Sequence, residues 1–287
     1  MSEPLHDTWR SREALLLAKA VGVASPADAI VHKVQSLLQI ANTFEPPVSP
    51  FRIAKYRNVS KILISDLAYD AILEPLADGF LMRLNRNRSL YRRRFSCAHE
   101  LGHTFFYEMF PERGALAEDI SELFDQRQEE ERLCNIAARE LLLPRSMVLS
   151  RILDSSINLE TVMATARVFD ASYPATALRL IELFEWKCAL IVWDVTVDDT
   201  TKELVPRVSW SASRLGFIPP HPAKAPRSWI PIIVRALDNP GVPTGITECA
   251  GSFGGLKTPI AIDSLCINYQ EGYNRRRTYL LSLAIPG

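Results

Sequence analysis

The sequence has no excess of charge, no long apolar run and no paired-cysteine pattern. Lys plus Arg and Asp plus Glu number 33 each in 287 residues, giving a formal net charge of zero. No overall field therefore draws the chain toward nucleic acid or an anionic membrane, and such a partner would need a local patch. No apolar run approaches the roughly 20 residues that span a bilayer. The start MSEPLHDTWRSREALLL has acidic and polar residues where a secretory signal has a basic region. The expectation is a cytoplasmic protein with no membrane partner. The five cysteines, Cys97, Cys134, Cys188, Cys249 and Cys266, are odd in number and show no CxxC spacing, as suits reduced thiols packed as small hydrophobes. Histidine is equally scarce, with five in the chain.

What is present is enough for a packed protein, since 47% of the residues are hydrophobic and the length allows one large core or two modest ones. From Arg10 to about Asn42, Ala, Leu, Val and Lys dominate, and Ser25-Pro26 offers a cap and a first-turn proline between two short helices. Pro46, Pro47 and Pro50 interrupt. Residues 61–65 and 79–84 are short and apolar enough to be strands. Helical patterning resumes at Arg93 in FSCAHELGHTFFYEMF and stops at Pro111, which a helix interior does not tolerate. An acidic connection holding Glu118, Asp119 and Glu122 leads to a second helix, expected over about Asp125 to Leu143. Two more fit 146–154 and 159–184, the latter with a break near Ser172-Tyr-Pro174. After Trp186, CALIVWDVTV, a proline-rich stretch holding Pro219, Pro220, Pro222, Pro226 and Pro231, and a strand at 277–284 read as a β-rich region. The expected organisation is a helical segment over 1–48, a core over 49–150, a helical linker over 151–185 and a β-rich C-terminal domain over 186–287. No internal repeat suggests a solenoid.

The residues that carry chemistry are His99-Glu100-Leu101-Gly102-His103. Imidazoles at i and i+4 of a helix face the same way and reach one zinc ion. The glutamate between them is placed to take a proton from an attacking water and return it to a leaving amine. The surrounding Phe95, Ala98, Leu101, Phe105 and Phe106 make the helix apolar nearly all round, so two histidines there need a partner. A catalytic zinc also needs a third protein ligand. The run Gln128-Glu-Glu-Glu-Arg-Leu-Cys-Asn135 fits a facing helix whose apolar stripe is Leu133, Ile136, Ala137, Leu141 and Leu142. Helical phase does not choose between Glu130 and Glu131. Asn135, one turn after Glu131, favours the latter because it can hold the free nitrogen of a ligating histidine. As a group, Glu129, Glu130 and Glu131 also read as a solvated acidic face near a helix N-terminus.

HELGH followed after a gap by Glu131-Arg-Leu-Cys-Asn-Ile-Ala-Ala-Arg-Glu-Leu-Leu-Leu-Pro144 resembles the ImmA/IrrE family of zinc metallopeptidases. The resemblance extends from Arg92 through about Leu183. It implies an α+β fold with a zincin-like domain, in which the HExxH helix and a facing glutamate helix accompany a small sheet. It further implies one Zn2+ per chain on His99, His103 and Glu131, catalysis by Glu100, and Asn135 in the family's Asn/Asp position. Cys134 stands where alanine is usual and Ala137 where an aromatic is common, which suggests altered packing. Many members carry a histidine where this chain has Tyr107, a residue that could donate to a developing oxyanion or simply be buried. Family members cleave a helix-turn-helix repressor and so switch on genes of a mobile element or a stress response. The expected partner is thus a protein substrate that binds DNA. A non-catalytic regulatory binding protein with a structural or vestigial zinc site is the alternative.

Other features have plainer readings. Six arginines, Arg83, Arg86, Arg88, Arg92, Arg93 and Arg94, crowd twelve residues, but pairing with the acids at 118–131 is expected to satisfy them, and direct nucleic-acid binding is not expected. The strand at 79–84 is either a substrate-docking edge or an interior strand. The run from Ser172 resembles a helix-turn-helix only loosely and lacks clustered bases for phosphates. Gly251 to Gly255 lacks the Lys-Ser/Thr of a phosphate cradle and reads as a turn. Trp193, Trp210 and Trp229 could line a sensory pocket or fill a core.

Overall fold

The computed structural model describes residues 9–109, 120–152, 156–197, 200–201, 204–213, 224–249, 260–271 and 275–286. His6, His221, the connection at Glu118 and Asp119, Pro111, Pro219, Pro220, Pro222 and the Gly251 to Gly255 loop lie outside them. The chain divides into two compact units, Met1–Val148 and Leu149–Gly287.

In the first unit, helix α1 (Arg12–Val21) is capped by Ser11, whose hydroxyl accepts from the Ala14 amide, and ends at Gly22 in the left-handed region. Helix α2 (Pro26–Ile40) starts as the serine-proline pair predicts, with Ser25 accepting from the Ala27 amide and Pro26 in the first turn, where its missing N–H costs nothing. Both helices bury an apolar face that includes Leu17, Ile30, Val34 and Leu37. A short helix, α3 (Pro50–Ile53), and one 3-10 turn (Ala54–Arg57) lead into three strands.

Strands β1 (Val59–Ser65), β2 (Ala71–Leu76) and β3 (Gly79–Asn85) form a sheet in the order β1-β3-β2, with β1 parallel and β2 antiparallel to β3. The apolar runs at 61–65 and 79–84 are therefore strands, and β3 is the interior one. The pattern missed β2 because Glu74 and Pro75 interrupt it; Pro75 is tolerated because β2 is an edge. Gly79 has φ 135, and a Cβ there would lie 2.2 Å from the Asn58 carbonyl oxygen. Only glycine lets β3 enter so close to the end of the 3-10 turn.

Helices α4 (Leu90–Met109) and α5 (Ile120–Leu142) pack against each other and against the sheet and α2. Ser89 starts α4, its hydroxyl accepting from the Arg92 amide at 3.2 Å. Helix α5 begins five residues before the expected start, and α4 three residues before. Leu101, Phe105 and Phe106 of α4 meet the core alongside Leu133, Ala137 and Leu141 of α5. Arg83, Arg86, Arg88 and Arg92 pair with carboxylates between 66 and 74, while Glu118, Asp119 and the Glu122 side chain, among the acids expected to pair with the stripe, lie outside the described residues. Asp70 accepts from Arg88 at 2.6 Å and Arg92 at 2.5 Å, Glu74 from Arg83 at 2.8 Å, and Asp66 lies 3.5 Å from Arg86. The connection from β1 to β2 brings Asp70 to the start of α4, a contact between segments that sequence spacing does not display. Arg94 is buried and donates to the Val48 carbonyl.

Helix α6 (Arg145–Arg151) follows Pro144. In the second unit, α7 (Leu159–Phe169) and α8 (Tyr173–Leu183) divide at the expected break, where Asp170 is left-handed and Ser172 accepts from the Ala175 amide. Strands β4 (Ala189–Val197), β5 (Leu204–Ser213), β6 (Thr247–Cys249), β7 (Ile260–Glu271) and β8 (Arg275–Pro286) make an antiparallel sheet in the order β5-β4-β8-β7-β6. Helix α9 (Ile230–Asp238) covers it, and Trp193 and Trp229 meet edge-to-face at 6.1 Å in the core between them. These two tryptophans are core residues, whereas Trp210 is exposed. Asp263, buried in β7, accepts from the Leu159 amide at 2.8 Å and so ties the start of α7 to the sheet. The expectation of mixed helix and sheet with a β-rich C-terminal part is met. Among the described residues no single helix is long and apolar enough to cross a membrane.

Candidate metal centre

The centre lies where α4 and α5 come closest. At Gly102 of α4 a Cβ would stand 2.9 Å from Cys134 Cα, 3.1 Å from Cys134 Cβ and 3.2 Å from Ala137 Cβ. The absent side chain lets α5 approach the turn that carries His99 and His103. The two rings, one helical turn apart, have centroids 5.0 Å apart and stand nearly edge to face. Their Nε2 atoms converge on one carboxylate: His99 Nε2 is 3.0 Å from Glu131 Oε2, and His103 Nε2 is 3.4 Å from Glu131 Oε1. Their Nδ1 atoms are held from behind, His99 by Asn135 Oδ1 at 3.1 Å and His103 by Glu130 Oε1 at 2.7 Å.

These distances fit a metal. Donors bound at 2.0–2.1 Å in a tetrahedral zinc site lie about 3.3 Å from one another, which the separations of 3.0 and 3.4 Å match. The charges fit as well. Burial pulls His103 down, but hydrogen bonds with Cys134, Glu130 and Glu131 outweigh it and hold the ring well above its ordinary value. Hydrogen bonds from His103 and His99 hold Glu131 far below the usual carboxylate range. Two carboxylates thus favour positive charge at the two rings, a preference that a divalent ion answers.

Three successive glutamates that read as one solvated face point three ways. Glu129 is buried and accepts from the Arg10 amide at 2.7 Å, the Ser11 amide at 2.9 Å and the Ser11 hydroxyl at 2.7 Å. Glu130 takes the back of His103, and Glu131, with a side chain 58% exposed, takes the front of both rings. Helical phase left Glu130 and Glu131 open, and the packing of α5 on α4 separates them.

Glu100 lies between the two histidines and beside the edge strand. Burial pushes its carboxyl up and the Glu131 charge adds to this. His103, His99 and the Leu73 amide act against that rise, and the net position is above the ordinary range. Tyr107, one turn beyond His103, meets the Phe80 ring at a tilt with centroids 5.2 Å apart and lines a cavity of about 570 Å³ with Arg57, Pro75, Leu76 and Thr104. Arg57, inside that wall, donates to Thr104 Oγ1 at 2.8 Å and Glu108 at 2.8 Å.

Sequence reasoning treated Cys134 as a packed thiol. In the structure it sits with His99 and His103 so that one donor atom of each lies within 4.8 Å of the others. Burial pushes this thiol up to about 11, although His103 acts in the opposite direction. Its place one turn after Glu130 and Glu131 was the available signal. Glu130 and the edge strand β2 were likewise not assigned to the site.

Paired helices carrying HExxH and a facing glutamate define a metallopeptidase-type domain, and the comparisons agree. Residues 42–180 match the peptidase M78 family, described as the IrrE N-terminal-like domain. This match supports an ImmA/IrrE family assignment for that domain. A solved structure, a Mycobacterium tuberculosis transcriptional regulator, is similar in fold at a TM-score of 0.57 with 11% identity, over 96% of this chain and 79% of that one. Comparison with curated proteins finds no match.

Proposed function

We propose that this chain is a zinc-dependent endopeptidase of zincin-like build that cuts a regulatory protein, with zinc on His99, His103 and Glu131 and Glu100 as general base. The observation that carries the reading is the convergence of both Nε2 atoms on the Glu131 carboxylate with Glu100 beside them. A zinc ion held there would supply Lewis acidity, polarising the scissile carbonyl and acidifying the attacking water.

The chain's own residues do the rest. Asn135 and Glu130 fix the rings with Nε2 forward, which settles orientation before the metal arrives. Glu100, raised by burial, takes the proton of the attacking water on its carboxylate and delivers it to the leaving nitrogen. The outer edge of β2, which pairs with no further strand among the described residues and whose Leu73 amide reaches Glu100, offers main-chain partners to an extended substrate segment. That role falls to β2 and not to β3, which is interior. Tyr107, on the cavity wall, is the candidate donor to a developing oxyanion.

A helix-turn-helix repressor is the proposed substrate, supported by the family match and by likeness of fold to a protein named a transcriptional regulator. A cytoplasmic setting suits five buried cysteines without a disulfide. Metal content of the purified chain, set beside His103→Ala and Glu131→Ala, tests the centre. About one zinc per chain, lost in both variants, is expected; zinc kept in Glu131→Ala would move the third ligand elsewhere. Glu100→Gln should keep the metal and lose proteolysis of a repressor, and full cleavage by that variant would refute the mechanism. Tight repressor binding that survives chelation, with no cleavage, would favour a non-catalytic binding protein.

A further inference from the structure

Three ligands leave one donor of the centre unused. Cys134 is completely buried at the closest approach of α4 and α5. Its sulfur lies within 4.8 Å of a ring nitrogen of both histidines. A thiol that only fills space sits among apolar groups, as Cys249 and Cys266 do in the core of the C-terminal sheet. Cys134 instead faces two imidazoles. It follows Glu131 by three residues, so both project from one face of α5. The Glu131 side chain is 58% exposed, whereas Cys134 is fully buried.

In a tetrahedral zinc site with sulfur at about 2.3 Å and nitrogen at about 2.05 Å, the two donors lie about 3.5 Å apart. The observed limit of 4.8 Å exceeds that spacing by about 1.3 Å, a gap that rotation of the cysteine and imidazole side chains closes without moving α5. Zinc accepts nitrogen, oxygen and thiolate sulfur together. Four protein ligands make a closed site, whereas a catalytic site keeps one position open.

We propose that Cys134 is a fourth protein ligand, whose thiolate joins His99, His103 and Glu131 on the metal in the resting protein and holds the centre latent. The inference rests on the metal-centre reading above. The thiol releases its proton to solvent as the sulfur binds, and the position opens to solvent when the sulfur leaves. This is ligand exchange and needs no oxidant or reductant. Substrate therefore competes with a residue of the chain itself for the open position.

Cobalt(II) loaded into the full-length protein reads the ligand directly, because a thiolate on Co(II) gives an intense near-ultraviolet charge-transfer band that nitrogen and oxygen donors lack. The wild type should show this band at one metal per chain. Cys134→Ala and Cys134→Ser should bind cobalt without it, and both should bind zinc about 10- to 100-fold more weakly. One cobalt per chain in the wild type with no such band overturns the proposal and leaves the metal centre intact. A band that persists in Cys134→Ala overturns it as well, since the sulfur would be another. A wild type that binds no metal overturns both readings. The wild-type spectrum decides the matter even if a variant fails to fold.

Discussion

Gly102→Ala is a one-carbon test of whether helix contact sets the metal centre. The new Cβ would lie 2.9 Å from Cys134 Cα and 3.1 Å from its Cβ, and the nearest of these is backbone, which cannot swing aside. Restoring ordinary contact near 3.4 Å requires α5 to retreat by about 0.5 Å. Metal sites tolerate only about 0.2 Å in ligand distance, and Glu131, three residues before Cys134, moves with the helix. The expected loss of zinc affinity is about 10- to 100-fold, the size seen when the shell that orients ligands is disturbed. Overpacking costs about 1–3 kcal/mol, but alanine regains about 1 kcal/mol over glycine in a helix. Stability should thus fall by only about 0–2 kcal/mol. Competition with a chromophoric chelator gives the affinity, and urea unfolding of the metal-free protein gives the stability. Unchanged affinity with unchanged stability would show that α5 yields freely at Cys134 and that close approach does not position Glu131.

Asn135→Ala removes the group behind His99 and should weaken zinc binding by about 10- to 100-fold while leaving one zinc at saturation; equal affinity in a chelator titration would dismiss Asn135 as an orienting group. Glu129→Ala strips three hydrogen bonds from the start of α1 and strands the buried Ser11 amide and hydroxyl. It should cost about 2–4 kcal/mol in urea unfolding, and a loss below about 0.5 kcal/mol would mean solvent replaces the clamp. Burial pulls Asp70 upward, but Arg92 and Arg88 outweigh it and hold its carboxyl below the ordinary 3.8. Its folded value is depressed, so its stabilisation is fully present above 3.8 and fades as pH falls through the lower folded value. The stability gap between wild type and Asp70→Asn should be widest near neutrality and shrink in acid. A gap that grows in acid would reverse the sign.

Local rules recovered the elements well wherever the residues themselves enforce them. Ser25 capped as its position implied, and the break at Ser172-Tyr-Pro174 fell between α7 and α8 because proline needs a first turn. The strand β2 escaped because its interrupting Pro75 is permissible only at a sheet edge, and edge status is a property of neighbours. Arg83, Arg88 and Arg92 found their acids at Asp70 and Glu74 for the same reason.

By itself the sequence determined that two imidazoles share a helix face with a glutamate between them, because i and i+4 spacing is a property of the helix alone. It also determined that a second helix would bring carboxylates. Only the tertiary structure decided which glutamate meets the Nε2 atoms, which one backs His103, which one clamps α1, and that Cys134 joins the cluster. Successive residues on a helix differ by about 100° in direction, so the rotation of α5 against α4 assigns each its partner. That rotation is fixed by packing at Gly102, where two chain segments far apart in sequence touch.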